Sequence, residues 1–221
     1  NLFLAAMAGI TGSFENGLRA ASKVLAVSGR IMPSTLAHVT LFAELADDSV
    51  MKGESQVPRG EAPIRRVYIE PASPPAFPEA VNAILTADLV ILGPGSLYTS
   101  VLPNLLVPDI AAALAATRAP VVYVANVATQ PGETDGYSLT EHLRALERHI
   151  PAGIIDRVLA NANVASPLPA GAPVTRVLPE LEAGEGPQPR LVKADLVSPL
   201  VPTHHDRSEE HTSELQSLAY L

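Results

Sequence analysis

The segment from Ala87 to Pro108, ADLVILGPGSLYTSVLPNLLVP, constrains the fold of this chain more than any other. Leu89 to Leu92 is an unbroken apolar run, as expected of a strand that is covered on both faces, and strands of parallel sheets are covered in this way. Gly93 and Gly95 follow, and they allow backbone angles and close approaches that a side chain would prevent. The sequence therefore predicts a buried strand that ends in a Gly-Pro-Gly loop, which in turn opens a helix.

The loop after this strand has the composition of an anion-binding site, and a diphosphate is the ligand that suits it. Backbone N–H groups would face the ligand, and the next helix would point the positive end of its dipole at it. A tight turn closed by a serine cap, with no ligand, is the alternative, because a Gly-Pro-Gly turn alone is a weak signal. Tyr98 either stacks on a base or packs under the loop. The candidate ligand-binding residues of this segment are Gly93, Pro94, Gly95, Ser96, Tyr98, Thr99, Ser100 and Asn104.

Helical and extended segments alternate through the rest of the chain. Such alternation predicts an α/β fold with a Rossmann-like, doubly wound and mostly parallel sheet. The predicted helices are Pro78–Thr86, Val107–Thr117 and Ser138–His149, and the predicted further strands are Val121–Ala125, Ile155–Ala160 and Leu191–Val197. The Pro/Gly-rich stretch over residues 166–189 is predicted to be an exposed excursion.

The segment before the sheet is predicted to add a helix and a small β-excursion. Ser13 is the expected N-cap of a helix that runs through Val27. Ile31–Leu45 and Val50–Gln56 have the composition of short strands, and Arg65–Glu70 is predicted to be another. Four prolines over residues 71–78 mark a connector between this excursion and the sheet.

A second polar loop, NVATQPGETDGY over residues 126–137, follows the next predicted strand. Ligands of open α/β sheets bind outside the carboxyl ends of the strands, so the loops after Leu92 and Ala125 are expected to be neighbours. The second loop suits a sugar, a ribose or a base edge, or an Mg²⁺ ion beside a diphosphate. Thr134 and Asp135 alternatively cap the helix that follows. The candidate ligand-binding residues here are Asn126, Thr129, Gln130, Glu133, Thr134 and Asp135.

Histidines are scattered along the sequence, and no Ser-His-Asp set is evident. His38, His142 and His149 are predicted to be ordinary surface or half-buried residues. The run from His204 to Asp206 is the exception. Neighbouring strand residues face opposite ways, so all three cannot bind one metal ion without a turn. A single imidazole or carboxylate on a phosphate or sugar is easier to build, so His204 and Asp206 join the candidate ligand-binding residues, with no metal ligand and no catalytic residue assigned.

Composition excludes several classes of function. The chain has no cysteine, and therefore no disulfide, thiolate zinc site or cysteine nucleophile. Its formal net charge of −8, without a stripe of lysine and arginine, argues against a nucleic-acid partner. No run reaches the roughly 18 apolar residues of a membrane span, and no basic-then-apolar leader opens the sequence. These features predict a cytoplasmic protein.

Both ends of the sequence are expected to depart from a complete natural protein. The opening NLFLAAMAGI lacks an initial methionine and is already apolar at helical spacing, as if it began inside a helix. Residues 207–217, RSEEHTSELQS, match the in-frame translation of a sequencing-library adapter, and a genuine acidic tail is the alternative. We therefore expect a partial α/β domain over residues 1–206 and a non-native tail over residues 207–221.

Several long motifs together carry a family resemblance. The two loop segments, the opening NLFLAA with ITGSFENGLRAASKVLAVSGRIMPST, and the late HHD closely resemble the YvcK-like gluconeogenesis factors of the CofD-like superfamily. The resemblance covers nearly all of residues 1–206. It implies a Rossmann-like core and binding of a nucleotide-diphosphate sugar such as UDP-N-acetylglucosamine. It further implies a regulatory role in gluconeogenic growth, cell shape and cell-wall synthesis, with a homo-oligomer as a candidate state.

The enzyme branch of the same superfamily gives the competing hypothesis. That branch is similar to 2-phospho-L-lactate transferase, which passes phospholactate from a guanosine diphosphate carrier to a deazaflavin. It has an Asn-Pro continuation where this chain has residues 95–98, GSLY, which argues against deazaflavin transfer. The resemblance also places a Gly-rich loop and an acidic loop upstream of NLFLAA. Two hypotheses result: a sensor without chemistry of its own, and a transferase that uses Mg²⁺ and loop N–H groups to stabilise a leaving phosphate.

Overall fold

The computed structural model describes residues 2–24, 29–183 and 188–206. Two helices come first, α1 (Leu2–Thr11) and α2 (Phe14–Val24), and they pack against each other. The hydroxyl of Ser13 accepts a hydrogen bond from the N–H of Asn16 at 3.1 Å, so Ser13 is the N-cap of α2, as predicted. The predicted end of this helix at Val27 and the predicted tail over residues 207–221 lie outside the described residues.

The β-excursion is a three-stranded antiparallel sheet. Its strands are β1 (Thr40–Leu45), β2 (Val50–Lys52) and β3 (Ile64–Glu70), with β1 in the centre. Buried and half-buried residues alternate strictly along β1, which is the pattern of a sheet with one face on the core.

Two predicted strands are shorter than the sequence indicates. Residues 31–39 are irregular, because their backbone bonds to the proline-rich connector instead of to a strand: the N–H of Phe77 donates to the carbonyl oxygen of Ser34 at 2.8 Å. Strand β2 ends after three residues, because Gly53 has a φ of +93° and turns the chain into a 3₁₀ helix at Val57–Arg59. Apolar composition alone did not distinguish these loops from strands.

A four-stranded parallel sheet forms the second half of the fold. Its strands lie side by side in chain order, which confirms the predicted α/β class with a parallel sheet. The helices at Pro78–Thr86 and Pro108–Ala116, which lie before and after the first strand of this sheet in sequence, pack against each other. The strands are β4 (Val90–Leu92), β5 (Val121–Val124), β6 (Arg157–Asn161) and β7 (Arg190–Ala194), and the helices are α3 (Pro78–Thr86), α4 (Leu102–Leu105), α5 (Pro108–Ala116) and α6 (Leu139–Glu147).

One hydrophobic core joins both sheets. It contains Leu45 and Val67 of the antiparallel sheet together with Tyr123 of β5 and Leu146 of α6. A smaller apolar cluster lies among the segments that follow β5 and β7. Among the described residues no single helix has the length and apolar character to cross a membrane, and the adjoining segments 97–105 and 108–116 reach that length only together, across a bend of 76°.

Candidate functional site

The loops after β4 and β5 are neighbours, as the sequence predicted. The two strands pair in parallel, so residues 93–101 (the first loop) and residues 126–137 (the second loop) leave the same edge of the sheet. The side chain of Gln130 joins them: its Nε2 donates to Ser96 Oγ at 2.9 Å, and its Oε1 accepts from Asn126 Nδ2 at 3.1 Å. We call these two segments the paired loops.

Glycine is required where the first loop leaves β4. Gly93 has a φ of +85°, and a Cβ atom there would lie 3.2 Å from the carbonyl oxygen of Val124 on the neighbouring strand. Both the positive φ and the close approach of the neighbouring strand therefore favour glycine at this position. The consequence is a sharp turn that keeps the next residues at the edge of the sheet.

The first loop enters a helix through three amides for which the described part of the chain supplies no acceptor. A π-helical turn at Leu97–Val101 continues into α4, and the carbonyl oxygen of Ser96 accepts from the N–H groups of Ser100 and Val101, both at 2.9 Å. Among the described residues nothing accepts from the N–H groups of Gly95, Ser96 and Leu97. The hydroxyl of Ser96 does not cap this helix, because it is held by the second loop, so the predicted serine cap of the alternative interpretation is wrong.

The carboxylate of Glu133, in the second loop, accepts hydrogen bonds from the next two donors of the same helix, the N–H of Tyr98 and the hydroxyl of Thr99. Its side chain is 7% exposed, its Oε2 accepts from the N–H of Tyr98 at 3.2 Å, and its Oε1 accepts from Thr99 Oγ1 at 2.9 Å. Burial raises the pKa of this carboxyl, and the hydrogen bonds from Thr99 and Tyr98 oppose that rise. Two residues that the sequence proposed as ligand contacts, Thr99 and Glu133, thus contact each other.

Thr134 and Asp135 shape the second loop and do not cap a helix. Thr134 Oγ1 accepts from the N–H of Gln130 at 2.9 Å, and Asp135 Oδ2 accepts from the N–H of Gly132 at 2.6 Å. Helix α6 begins later and is capped by Ser138 in a capping box. The expectation that Thr134 or Asp135 caps α6 is therefore wrong, because both side chains are used inside the loop.

Two further candidate residues hold the paired loops to neighbouring segments. Asn104 Oδ1 accepts from Ser34 Oγ at 2.5 Å, and its Nδ2 donates to the carbonyl oxygen of Ser100 at 2.7 Å. Thr129 Oγ1 accepts from the N–H of Thr175 at 2.8 Å. These side chains fix the first loop to the segment before β1 and the second loop to the excursion before β7.

The aromatic ring of Tyr98 packs under the first loop. Tyr98 is fully buried, its hydroxyl lies 2.9 Å from that of Tyr137, and burial raises its pKa. The ring of His149 meets Tyr98 edge-on at 6.3 Å between centroids, and the ring of His142 meets Tyr137 at 5.5 Å. His149 is half-buried, as predicted, whereas His142 is fully buried, contrary to the prediction; a spacing of seven residues places both on the same side of α6 and the turn after it.

His149 also ties the first loop to the antiparallel sheet. Its Nδ1 lies 2.6 Å from the carbonyl oxygen of Ala145 and donates to it, which leaves Nε2 to accept from the N–H of Val67 at 2.9 Å. His142 donates in the same way from Nδ1 to the carbonyl oxygen of Ser138 at 2.8 Å. Burial lowers the pKa of both imidazoles and favours their neutral form, and the hydrogen bond that His149 Nε2 accepts from Val67 requires that form.

The imidazole that reaches the sheet edge is that of His205, which the sequence did not select. His205 Nε2 donates to the carbonyl oxygen of Ala125 at 3.1 Å, at the end of β5. His204 is exposed and lies beside Thr203 Oγ1 at 2.9 Å, and the N–H of Asp206 donates to the carbonyl oxygen of Leu196. The sequence signal that could have found His205 is the alternation of side chains along a strand. It predicts that His204 and His205 face opposite ways, but it does not say which of the two faces inward.

The backbone of Arg176 lies beside the second loop. Arg176 pairs with Ala128 in an isolated bridge, and its guanidinium donates to the carbonyl oxygens of Pro202 at 2.8 Å and Ser166 at 2.6 Å. Burial lowers its pKa, although arginine stays charged. Within the described part of the chain, no group of three or more His, Asp or Glu side chains is arranged to hold a metal ion.

Comparisons with known proteins identify relatives of this chain. The family profile described as 2-phospho-L-lactate transferase CofD matches residues 1–171. The gluconeogenesis factor of Bacillus subtilis is 47% identical over 162 residues, 73% of this chain and 51% of that protein. The gluconeogenesis factor of Halalkalibacterium halodurans is 41% identical over 192 residues, 87% of this chain and 57% of that protein. The crystal structure of a UPF0052 family member from Bacillus halodurans has a TM-score of 0.73 at 40% identity and covers 80% of this chain and 59% of that one. This chain thus spans little more than half the length of these relatives.

Proposed function

This chain belongs to the CofD family, with gluconeogenesis factors among its relatives, and we propose that it binds a nucleotide-diphosphate sugar such as UDP-N-acetylglucosamine as a regulatory protein. The proposed role is support of gluconeogenic growth, cell shape and cell-wall synthesis. The three consecutive amides at Gly95, Ser96 and Leu97 carry the proposal.

Phosphate oxygens are the natural acceptors for these amides. A backbone N–H that is left unpaired in a partly covered loop is costly, and nearly all such groups in folded proteins find an acceptor. Successive N–H groups at the start of a helix bind anions, because the donors point the same way and the helix dipole favours negative charge. The backbone of Arg176 pairs with Ala128 of the second loop, and its charged guanidinium is held by the carbonyl oxygens of Pro202 and Ser166.

An Mg²⁺ ion fits this site as an ion shared with the ligand. Glu133 and Asp135, the two carboxylates of the second loop, already accept hydrogen bonds from the paired loops. In nucleotide sites Mg²⁺ keeps several waters and binds one or two carboxylates together with phosphate oxygens. A bound Mg²⁺ would therefore depend on the diphosphate, and we expect a chelator to weaken binding of the nucleotide sugar without unfolding the chain.

Isothermal titration with UDP-N-acetylglucosamine tests the proposal through two variants of Ser96. Ser96 has a φ of −56°, which proline shares, and no described residue accepts from its N–H, so Ser96→Pro removes that N–H without breaking a backbone bond within the described part of the chain. Ser96→Ala is the matched control, because both variants lose the hydroxyl that Gln130 contacts. We expect Ser96→Pro to bind more weakly than Ser96→Ala by about 1.5–3 kcal/mol, at least tenfold in Kd. Equal affinities would show that this amide does not contact the diphosphate.

The transferase remains the second candidate, because the family profile that matches residues 1–171 carries that description. Transfer of phospholactate from a nucleotide diphosphate carrier to a deazaflavin breaks the diphosphate and releases a nucleoside monophosphate. Chromatography of reactions that contain both substrates separates the hypotheses: release of the monophosphate supports the transferase, and binding without release supports the sensor.

A further inference from the structure

The hydroxyl of Ser96 accepts a hydrogen bond from the second loop, and its own hydrogen is left for another partner. Gln130 Nε2 donates to Ser96 Oγ at 2.9 Å, and an amide nitrogen of this kind is a donor only. The hydrogen of the Ser96 hydroxyl therefore points away from Gln130, and no described residue accepts from it. Within the described part of the chain, Ser96 thus carries two donors without an acceptor, its N–H and its hydroxyl.

The role that a serine ordinarily has at the start of a helix is filled here by Glu133. An N-cap hydroxyl usually accepts from the second or third N–H of its helix. The second N–H, that of Tyr98, instead donates to Glu133 Oε2 at 3.2 Å, and the hydroxyl of Thr99 donates to Glu133 Oε1 at 2.9 Å. Because the carboxylate takes these donors, the Ser96 side chain is available for a contact outside the helix.

Gln130 is fixed at both ends, so the direction of its bond to Ser96 is well defined. Its N–H donates to Thr134 Oγ1 at 2.9 Å, and its carbonyl oxygen accepts from the N–H groups of Glu133 and Thr134 at 3.1 and 2.9 Å. At the other end, its Oε1 accepts from Asn126 Nδ2 at 3.1 Å. A chain of donors therefore runs from Asn126 through Gln130 to Ser96, and hydrogen bonds in such a chain polarise one another.

We propose, building on the proposed function, that the Ser96 hydroxyl donates to a phosphate oxygen of the bound diphosphate, and that Gln130 is the positioning residue for this contact. A hydroxyl can donate or accept, whereas the oxygens of a substituted diphosphate carry no hydrogen at neutral pH and only accept. The contact thus requires the Ser96 hydrogen to face the ligand, beside the N–H groups of residues 95–97. Gln130 sets this direction, because its amide nitrogen donates to the Ser96 oxygen from the other side.

Isothermal titration with UDP-N-acetylglucosamine measures the contribution of the Ser96 hydroxyl in two backgrounds, wild type and Gln130→Glu. The replacement has the shape of the native side chain, but both of its carboxylate oxygens accept. It therefore keeps the bond from Asn126 and reverses the bond to Ser96, whose hydrogen turns from the ligand to the new carboxylate. Ser96→Ala then removes the hydroxyl in each background.

We expect the loss of affinity caused by Ser96→Ala to be about tenfold larger in wild-type protein than in Gln130→Glu, the size of one hydrogen bond to a charged group. Repulsion between the new carboxylate and the ligand is present with and without the hydroxyl, so it cancels in this comparison. The link between the paired loops cancels as well, because Ser96→Ala breaks it in both backgrounds. A purely structural role of Gln130 would therefore give equal losses.

Gln188→Glu is the matched control for the added charge. Gln188 is exposed and lies outside the paired loops, where its Nε2 donates to the carbonyl oxygen of Glu182 at 3.2 Å. This variant has the same net charge as Gln130→Glu. It is expected to bind as the wild type does and to lose as much affinity as the wild type when Ser96→Ala is added.

The outcomes separate the inference from the proposed function. Equal losses in the two backgrounds, or wild-type affinity in Ser96→Ala, overturn the inference and leave the proposed function intact. Absence of binding to wild-type protein overturns the proposed function itself. The comparison of wild type with Ser96→Ala needs no change at Gln130, so the inference stays testable even if Gln130→Glu folds poorly.

Discussion

Replacement of Gly132 by alanine should separate the second loop from the 3₁₀ helix. Gly132 has a φ of +77°, and a Cβ atom there would lie 1.9 Å from the carbonyl oxygen of Pro58, far inside van der Waals contact. Left-handed backbone costs a non-glycine residue about 1–2 kcal/mol, and overpacking adds about 1–3 kcal/mol. We therefore expect Gly132→Ala to lower the free energy of unfolding by about 2–5 kcal/mol.

Gly136→Ala is the control for the backbone angle alone. Gly136 lies in the same loop with a φ of +70°, and nothing lies within 4 Å of its Cβ position. Gly136→Ala should therefore lower the free energy of unfolding by only about 1–2 kcal/mol. Urea unfolding of both variants measures the difference, and in thermal melts each 1 kcal/mol corresponds to a shift of about 2–4 °C for a chain of this size. Losses that agree within about 0.5 kcal/mol would refute the reasoning, because the contact with Pro58 would then have no energetic weight.

Two other changes test the supports of the site. Burial lowers the pKa of His149 in the folded protein, so the stability that neutral His149 contributes is fully present above its ordinary pKa of 6.5 and is lost as the pH falls below that value. In urea unfolding, the difference in free energy of unfolding between wild type and His149→Gln should therefore shrink by up to about 1.4 kcal/mol per pH unit as the pH is lowered from about 6.5 to about 5. A difference that stays constant between about pH 8 and about pH 5 would contradict this. Gly17→Ala should destabilise the α1–α2 pair by about 1–3 kcal/mol, because its Cβ would lie 2.6 Å from the backbone of α1. Gly9→Ala should be neutral or stabilising, because nothing lies within 4 Å of its Cβ position. Limited proteolysis within residues 2–24 checks both variants, and equal cleavage rates would contradict the close packing at Gly17.

Much of the fold followed from local patterns. The apolar run before Gly93 and the alternation after it predicted the parallel sheet, and Ser13 and Pro78 marked helix starts that the structure retains. These signals work because capping, proline geometry and burial periodicity act within a few residues. The prediction was wrong over residues 31–39, where backbone groups bond to the distant connector and not to a neighbouring strand.

The sequence predicted that the two polar loops are neighbours, but it did not predict the hydrogen bonds between them. The rule that ligands bind at the carboxyl ends of parallel strands brought the two loops together correctly. Their internal bonds could not be read from the sequence, since Glu133 meets Thr99 across 34 positions and His149 meets Val67 across 82. Which donors remain for a ligand depends on these pairings.

The sequence by itself determined that this chain forms an α/β sheet whose Gly-Pro-Gly loop lies beside a second polar loop. Periodicity, glycine conformation and helix caps are properties of short segments, so they can be predicted without knowledge of distant contacts. Only the tertiary structure decided that Glu133 binds Tyr98 and Thr99 and that the amides of residues 95–97 find no acceptor among the residues that the structure describes. The reason is physical: a buried polar group bonds to whichever donor or acceptor the packed chain brings within about 3 Å, and that choice is made by the whole fold.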